Sequence, residues 1–316
     1  MVIQHNIAAI NSYRNLGTNQ SGLNKNLEKL SSGYRINRAG DDAAGLAISE
    51  AMRSQINGLN QATKNAQDAV GLIQTAEGAL TETHSMLQRL TTLASQSANG
   101  TYNSVARANL QAEVDQLVEE IDRIANYTDF NGIKPLAEKD AATNLDNAKV
   151  TINADKSNPK ATVDSSGLDG AIKMTFQIGP SAQETITVNQ QNMTSSGIGV
   201  NQLHSRAGFE DSTTHVKGMV GSQAAANTAI KVINAAINVV STYRAKLGAA
   251  QNRLEHTINN LKVTSENITA AESRIRDTDM ADEITNFTKN NILLQASQSM
   301  LAQSNSVPQS VLSLLG

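Results

Sequence analysis

The sequence has no cysteine and no tryptophan among its 316 residues. Without thiols there is no disulfide, no thiolate metal site and no thiol nucleophile. Aromatics are scarce too: four Phe and five Tyr leave any core to Leu, Ile, Val, Met and Ala, which suits thin helical layers better than a thick globular interior. An excess of one charge is also missing. Against 26 Lys and Arg stand 29 Asp and Glu, a formal net charge of −3. A chain so balanced has no electrostatic hold on nucleic acid or an anionic membrane, so neither is expected as a partner. No apolar run approaches the roughly 18 residues of a membrane span. The opening MVIQHNIAAINSYRN has no basic start followed by a continuous apolar stretch, so no cleaved secretory signal is expected.

What the sequence does have is apolar spacing at a helical period. Met52, Ile56, Leu59, Thr63, Ala66, Val70, Ile73, Glu77, Leu80, His84 and Leu87 step by four and three, and eight of the eleven are apolar. This seam predicts one helix from about Asp42 to Ala98, stopped by Asn99-Gly100. Leu110, Val114, Leu117, Ile121 and Ile124 predict a second over about Ser104 to Tyr127. A third seam, from Ile230 through Ile233, Ile237, Val240, Arg244 and Leu247 to Ile275, has ten apolar residues in fourteen positions. At 1.5 Å per residue that helix is roughly 70 Å long and must lie against partners of similar length.

The ends are helical as well. Ile3, Ile7 and Ile10 share one stripe, and Leu16, Leu23, Leu27 and Leu30 another. Near the other end Ile284, Phe287, Leu294 and Leu301 line up, and Val311, Leu312, Leu314 and Leu315 finish the chain. These stripes are too short and too polar at their flanks to be stable alone. Between about Ala137 and Gly221 the helical period fades. There Met174, Phe176 and Ile178, then Ile186 and Val188, alternate with polar residues around the five-residue GPSAQ loop, predicting a β-hairpin. Lys149 to Asn153 reads as a weak strand. The expected fold class is mainly α: a long antiparallel helical bundle or coiled coil formed by both chain ends, with a small β-hairpin-containing insertion.

Little else points to chemistry. The five histidines are scattered and none lies in an HExxH arrangement. His84 reads as a polar position tolerated on the seam. Asp41-Asp42 reads as acids at a helix start, where they complement the dipole. SSGIGV lacks the glycine spacing of a phosphate loop. No catalytic, cofactor-binding or metal-binding residue is expected, and the chain is not read as an enzyme.

Three long segments resemble the bacterial flagellins: LSSGYRINRAGDDAAGLAISEAMRSQINGLNQATKNAQDAVGLIQTAEGAL from Leu30, LQAEVDQLVEEIDRIANYTDFNG from Leu110, and AAESRIRDTDMADEITNFTKNNILLQASQSMLAQSNSVPQSVLSLL near the carboxyl end. The resemblance implies a discontinuous inner-core coiled coil of residues 1–41 with 277–316. It also implies an outer-core helical bundle with a hairpin, residues 42–136 with 171–276, and a short variable insertion at 137–170. Gly33, Gly40 and Gly45 would serve connecting spokes, where a chain changing direction favours permissive backbone.

The function implied is that of a structural subunit of the flagellar filament, secreted and self-assembling into an extracellular helical tube for swimming. Ile3, Ile7, Ile10, Leu23, Leu27, Leu30, Ile284, Phe287, Leu294, Leu301, Val311, Leu314 and Leu315 would carry self-assembly. The implied partners are further copies of the chain, the flagellar secretion apparatus, an export chaperone, and the cap and junction proteins. A hook–filament junction protein is the alternative reading. In flagellins sensed by Toll-like receptor 5 one stretch commonly reads Gln-Arg-x-Arg-Glu-Leu-x-x-Gln. Here it reads QRLTTLASQ, so Gln88, Arg89, Leu93 and Gln96, with Glu113, are the matching receptor-binding candidates.

Overall fold

The computed structural model describes residues 6–137, 151–152, 161–162, 173–204 and 223–315, with side chains of the last helix described as far as Val307. The described residues form α1 (Ile7–Ser32), α2 (Ala43–Ala98), α3 (Ser104–Tyr127), β1 (Thr151–Ile152), β2 (Ala161–Thr162), β3 (Lys173–Gln177), β4 (Thr185–Asn189), α4 (Gln223–Arg276) and α5 (Met280–Leu315). Short polar side chains start the helices by accepting from otherwise unpaired amides. Asn6 accepts from Ala9 N, Asp42 from Gly45 N, Asn103 from Ala106 N and Asp279 from Ala281 N. Gly33 ends α1 in the left-handed region, φ 75°.

Two compact units emerge, one of residues 1–58 with 263–316 and one of residues 59–262. The second is built on a single hydrophobic cluster drawn from α2, α3, α4 and the β3–β4 hairpin. Leu59, Ala66, Ile73, Leu80 and Leu87 on α2 and Ile233, Val240, Leu247 and Leu254 on α4 are buried as expected, while the positions between them are displaced by one residue. On α2 the buried seam from Leu59 to Leu90 runs Leu59, Ala62, Ala66, Ala69, Ile73, Ala76, Leu80, Thr83, Leu87 and Leu90, with Leu72 buried beside it. Thr63, Val70, Glu77 and His84 sit half-exposed on the flank. On α4 the buried row is Ala226, Ala229, Ile233, Ala236, Val240, Tyr243, Leu247, Ala250 and Leu254, with Ile230, Ile237 and Arg244 beside it. Alanine explains the rotation. Helix axes come closest where side chains are smallest, so the alanine rows face inward and the longer Val and Ile cover the edges. On α3 the offset runs the other way: Gln111, Val114, Val118, Ile121 and Ala125 are buried.

The hairpin has its expected register. β3 and β4 pair antiparallel with Met174 opposite Val188 and Phe176 opposite Ile186, and these four residues pack on the helical cluster. Ile178 N donates to Glu184 O at 2.9 Å, which leaves Gly179 to Gln183 as the five-residue loop. Asn65 Nδ2 ties α2 to the hairpin through Gln177 O, 3.1 Å. The weak strand near Lys149 is a two-residue β1, Thr151–Ile152, paired with a β2 the alternation did not predict. After β4 the chain docks through buried polar groups. Gln190 Nε2 donates to Lys134 O and Ala137 O, Ser195 N and Oγ donate to Asp122, and Gln111 Nε2 donates to Leu203 O.

Candidate functional site

The expected assembly residues other than Ile3 fall on α1 and α5, which pack on each other within the first unit. The pairing is antiparallel: Asn6 Nδ2 donates to Ser304 O at 2.8 Å, Asn19 Nδ2 to Ser297 Oγ at 2.8 Å, and Lys29 Nζ lies 3.7 Å from Glu283 Oε2. Two kinds of residue share the seam. Leu16, Leu23 and Leu30 recur every seven residues on α1, as do Phe287, Leu294 and Leu301 on α5, all half-buried. Between them run Ser12, Asn19 and Asn26, and on α5 Asn290, Ser297 and Ser304. Asn26 and Glu283 are buried. The sequence reading missed this polar row, although its seven-residue repeat is visible in the sequence.

The assembly candidates therefore separate into two groups. Leu23, Leu30, Phe287, Leu294 and Leu301 face the partner helix. Ile7, Ile10, Leu27 and Ile284 stay exposed, joined by Tyr13, Ile292 and Met300; Ile7 is 66% and Ile292 61% accessible. Ile3 and the side chains of Val311, Leu314 and Leu315 lie outside the described residues. On α5, Ile284, Thr285, Thr288, Lys289, Ile292 and Leu293 line a shallow surface depression.

The connectors at one end of this unit are stapled. Tyr34 and Asp277 form an isolated β-bridge, Arg35 N donates to Arg276 O at 2.7 Å, and Thr278 N donates to Gly33 O at 3.1 Å. Arg276 stacks over the Tyr34 ring, 4.6 Å to its centroid, and its Nη1 reaches Glu50 Oε1 at 2.7 Å. Asp41 accepts from Asn37 N and Arg38 N and pairs with Lys25 at 3.0 Å; chiefly the Lys25 bond, then the two amides, hold its carboxyl below the usual range. Of the three connector glycines only Gly33 has positive φ. Gly45 is required by crowding instead: a Cβ there would lie 2.5 Å from Asp42 Oδ2 and 2.8 Å from Ile36 Cδ1.

In the second unit Arg89 and Glu113 form one exposed pair, with Arg89 Nε donating to Glu113 Oε1 at 2.8 Å. Gln88 and Gln96 are exposed nearby on α2. Leu93 does not join them: it is fully buried in the α2–α3–α4 cluster. Leu90, Leu93, Ala94 and Ser97 continue the buried stripe to the end of α2, which turns Leu93 inward. Among the described residues no cluster of His, Asp and Glu could hold a metal ion, and no helix is long and apolar enough to cross a membrane.

Comparison with known proteins points one way. Residues 3–141 match the bacterial flagellin N-terminal helical region and residues 230–315 the flagellin C-terminal helical region. The chain is 50% identical to a flagellin of Bacillus subtilis and 48% identical to a flagellin of Halalkalibacterium halodurans, each match covering 100% of both chains. It is 44% identical to the flagellar filament 33 kDa core protein of Treponema phagedenis, again over 100% of both. A solved structure described as a flagellar hook-associated protein of Vibrio parahaemolyticus is similar with a TM-score of 0.53. It is 12% identical over 75% of this chain and 100% of that one, a likeness of fold alone.

Proposed function

This chain belongs to the bacterial flagellin family, and from that premise we infer how its two ends build a filament. It is a structural subunit of the flagellar filament, polymerising with copies of itself to serve motility. The observation that carries the assembly reading is the division of apolar residues on α1 and α5. One row joins the two helices, and a second, Ile7, Ile10, Tyr13, Ile284, Ile292 and Met300, stays in solvent. Each buried aliphatic side chain contributes about 1.5–3 kcal/mol, so a neighbour covering these residues stabilises the assembled state. A contact between unlike faces that does not close on itself grows a helix rather than a ring.

The same exposed row explains the need for escort. An export chaperone covering about Ile284 to Leu315 masks the apolar face before secretion through the flagellar apparatus, and the cap and junction proteins receive the chain at the growing tip and at the base. These partners belong to the proposal, as does an extracellular location. Electron microscopy tests the assembly reading: protein seeded with short filament fragments should yield long fibres of uniform width. A monodisperse particle under the same conditions would sink it.

Recognition by Toll-like receptor 5 is a second proposal, supported by the exposed Arg89–Glu113 pair with Gln88 and Gln96 alongside. Leu93 would support this stripe from beneath, by holding α2 against its core, rather than touch the receptor.

A further inference from the structure

The seam between α1 and α5 has a degeneracy its leucines cannot resolve. Leu16, Leu23 and Leu30 repeat every seven residues, and so do Phe287, Leu294 and Leu301. Sliding one helix by seven residues, about 10 Å, would therefore restore every apolar contact but one. The polar rows share that spacing, so Asn19 would meet Ser304 or Asn290 where it now meets Ser297. Nothing in the repeating pattern selects the observed alignment.

Besides the stapled connector between Gly33–Arg35 and Arg276–Thr278, two contacts within the helix pair itself do not repeat. Gly22 lies opposite Asn290, so close that a Cβ on Gly22 would stand 3.2 Å from Asn290 Nδ2. One heptad further, Lys29 lies opposite Glu283, whose side chain is only 9% accessible. Glu283 Oε1 has no hydrogen-bond partner, so Lys29 is the compensating charge for a buried carboxylate. A seven-residue slip sets Glu283 against Gly22 or past the end of α1, and sets Asn290 against Asn15 or Lys29. Against Gly22 the carboxylate loses its cation while still within the helix pair, the costly way to break an ion pair; past the end of α1 the pair loses the contact altogether. At the same time the amide loses the only place on this face without a side chain. A single polar position that fixes alignment within an otherwise regular coiled coil is a known physical device.

We propose that Lys29, Glu283 and the Gly22–Asn290 close approach form the register key of the terminal helix pair, selecting one axial alignment among heptad-spaced alternatives. This rests on the filament reading and deepens it. Every subunit must present the exposed row at the same height, so a slipped pair would misplace half the row by about 10 Å.

The absence of native cysteine makes register directly measurable. In assembled filaments, Asn19→Cys with Ser297→Cys reports the observed alignment, while Asn19→Cys with Ser304→Cys and Ser12→Cys with Ser297→Cys report the two slips. Intramolecular cross-links are scored as monomer bands that shift on reduction. The unaltered background should cross-link through the first pair alone; failure of that pair would count against the helix pairing itself, and with it the filament reading. In the Lys29→Leu/Glu283→Leu background the slipped cross-links should rise about tenfold or more, each 1.4 kcal/mol of lost discrimination being a factor of ten. The exchanged pair Lys29→Glu/Glu283→Lys should return cross-linking to the first reporter. If the leucine background keeps the native reporter alone, or the exchanged pair stays slipped, the register key is overturned while the filament reading stands.

Discussion

Arg276 and Tyr34 meet where α4 gives way to α5, the guanidinium lying 4.6 Å above the centre of the ring. The same guanidinium reaches Glu50 at 2.7 Å, and its side chain is 12% accessible. Stacking on one face and pairing through an edge is something a planar cation does and an ammonium does not. Arg276→Lys should therefore loosen the connector despite keeping the charge. Loss of a partly desolvated cation–π contact costs about 1–2 kcal/mol. The expected result is faster amide exchange over residues 33–42 with exchange in the hairpin unchanged. Wild-type protection in that connector would show that the backbone bonds from Arg35 and Thr278 suffice.

Tyr243 gives the second unit an alkaline limit. Its ring is fully buried on α4, its hydroxyl has no hydrogen-bond partner among the described residues, and burial pushes its pKa from 10 up to about 12. The protonated form is the one the fold favours. Stability is thus complete below pH 10 and falls as pH rises from 10 towards 12, by roughly 2–3 kcal/mol for a shift of this size. Tyr243→Phe removes the titrating group. Its urea midpoint should stay flatter than wild type between pH 10 and 12 and close to wild type at pH 7. Parallel alkaline curves for the two proteins would show that other groups set the limit.

The length of α2 was legible in the sequence because its spacing is strict and Asn99-Gly100 stops it, whereas α4 was legible from Ile230 to its end but not back to its start at Gln223. The hairpin was legible from Phe176 and Ile186 because strict alternation around GPSAQ admits little else. The inward face was legible only to within one residue. Counting apolar positions favours Val70 and Ile237 over Ala69 and Ala236, whereas close packing of helices favours alanine. Leu93 entered through the match of QRLTTLASQ to a family stretch, which carries no information about which face of α2 it lies on; in the structure that face is buried. The Arg276–Tyr34 stack and the Lys29–Glu283 pair join residues more than two hundred positions apart and leave no local periodic signal.

Arg89 and Leu93 should separate cleanly. Arg89→Ala removes an exposed ion pair and should change stability by less than about 1 kcal/mol. If the receptor proposal holds, it should weaken the Toll-like receptor 5 response about tenfold, the scale of a modest interface hot spot. Leu93→Ala opens a cavity in the α2–α3–α4 cluster and should cost about 2–5 kcal/mol of stability. Dose–response curves on receptor-bearing cells, read beside urea denaturation, distinguish the two. An Arg89→Ala protein with an unshifted dose response would place recognition elsewhere.

The exposed row on α1 and α5 makes the opposite pairing of effects. Ile7→Asn and Ile292→Asn change residues that are 66% and 61% accessible, so the lone chain loses only the smaller part of each contact surface. Its melting temperature should move little. In a filament each substitution would leave a polar amide where a neighbour expects an apolar contact, at a cost of about 1–3 kcal/mol per site. That cost recurs in every subunit, so elongation should slow and the concentration needed for seeded growth should rise about tenfold. Seam variants such as Leu294→Asn should instead weaken the helix pair before assembly begins. Sedimentation of seeded filaments, measured beside monomer melting, tests this directly. Normal elongation by both Ile7→Asn and Ile292→Asn would mean that no neighbour covers the row.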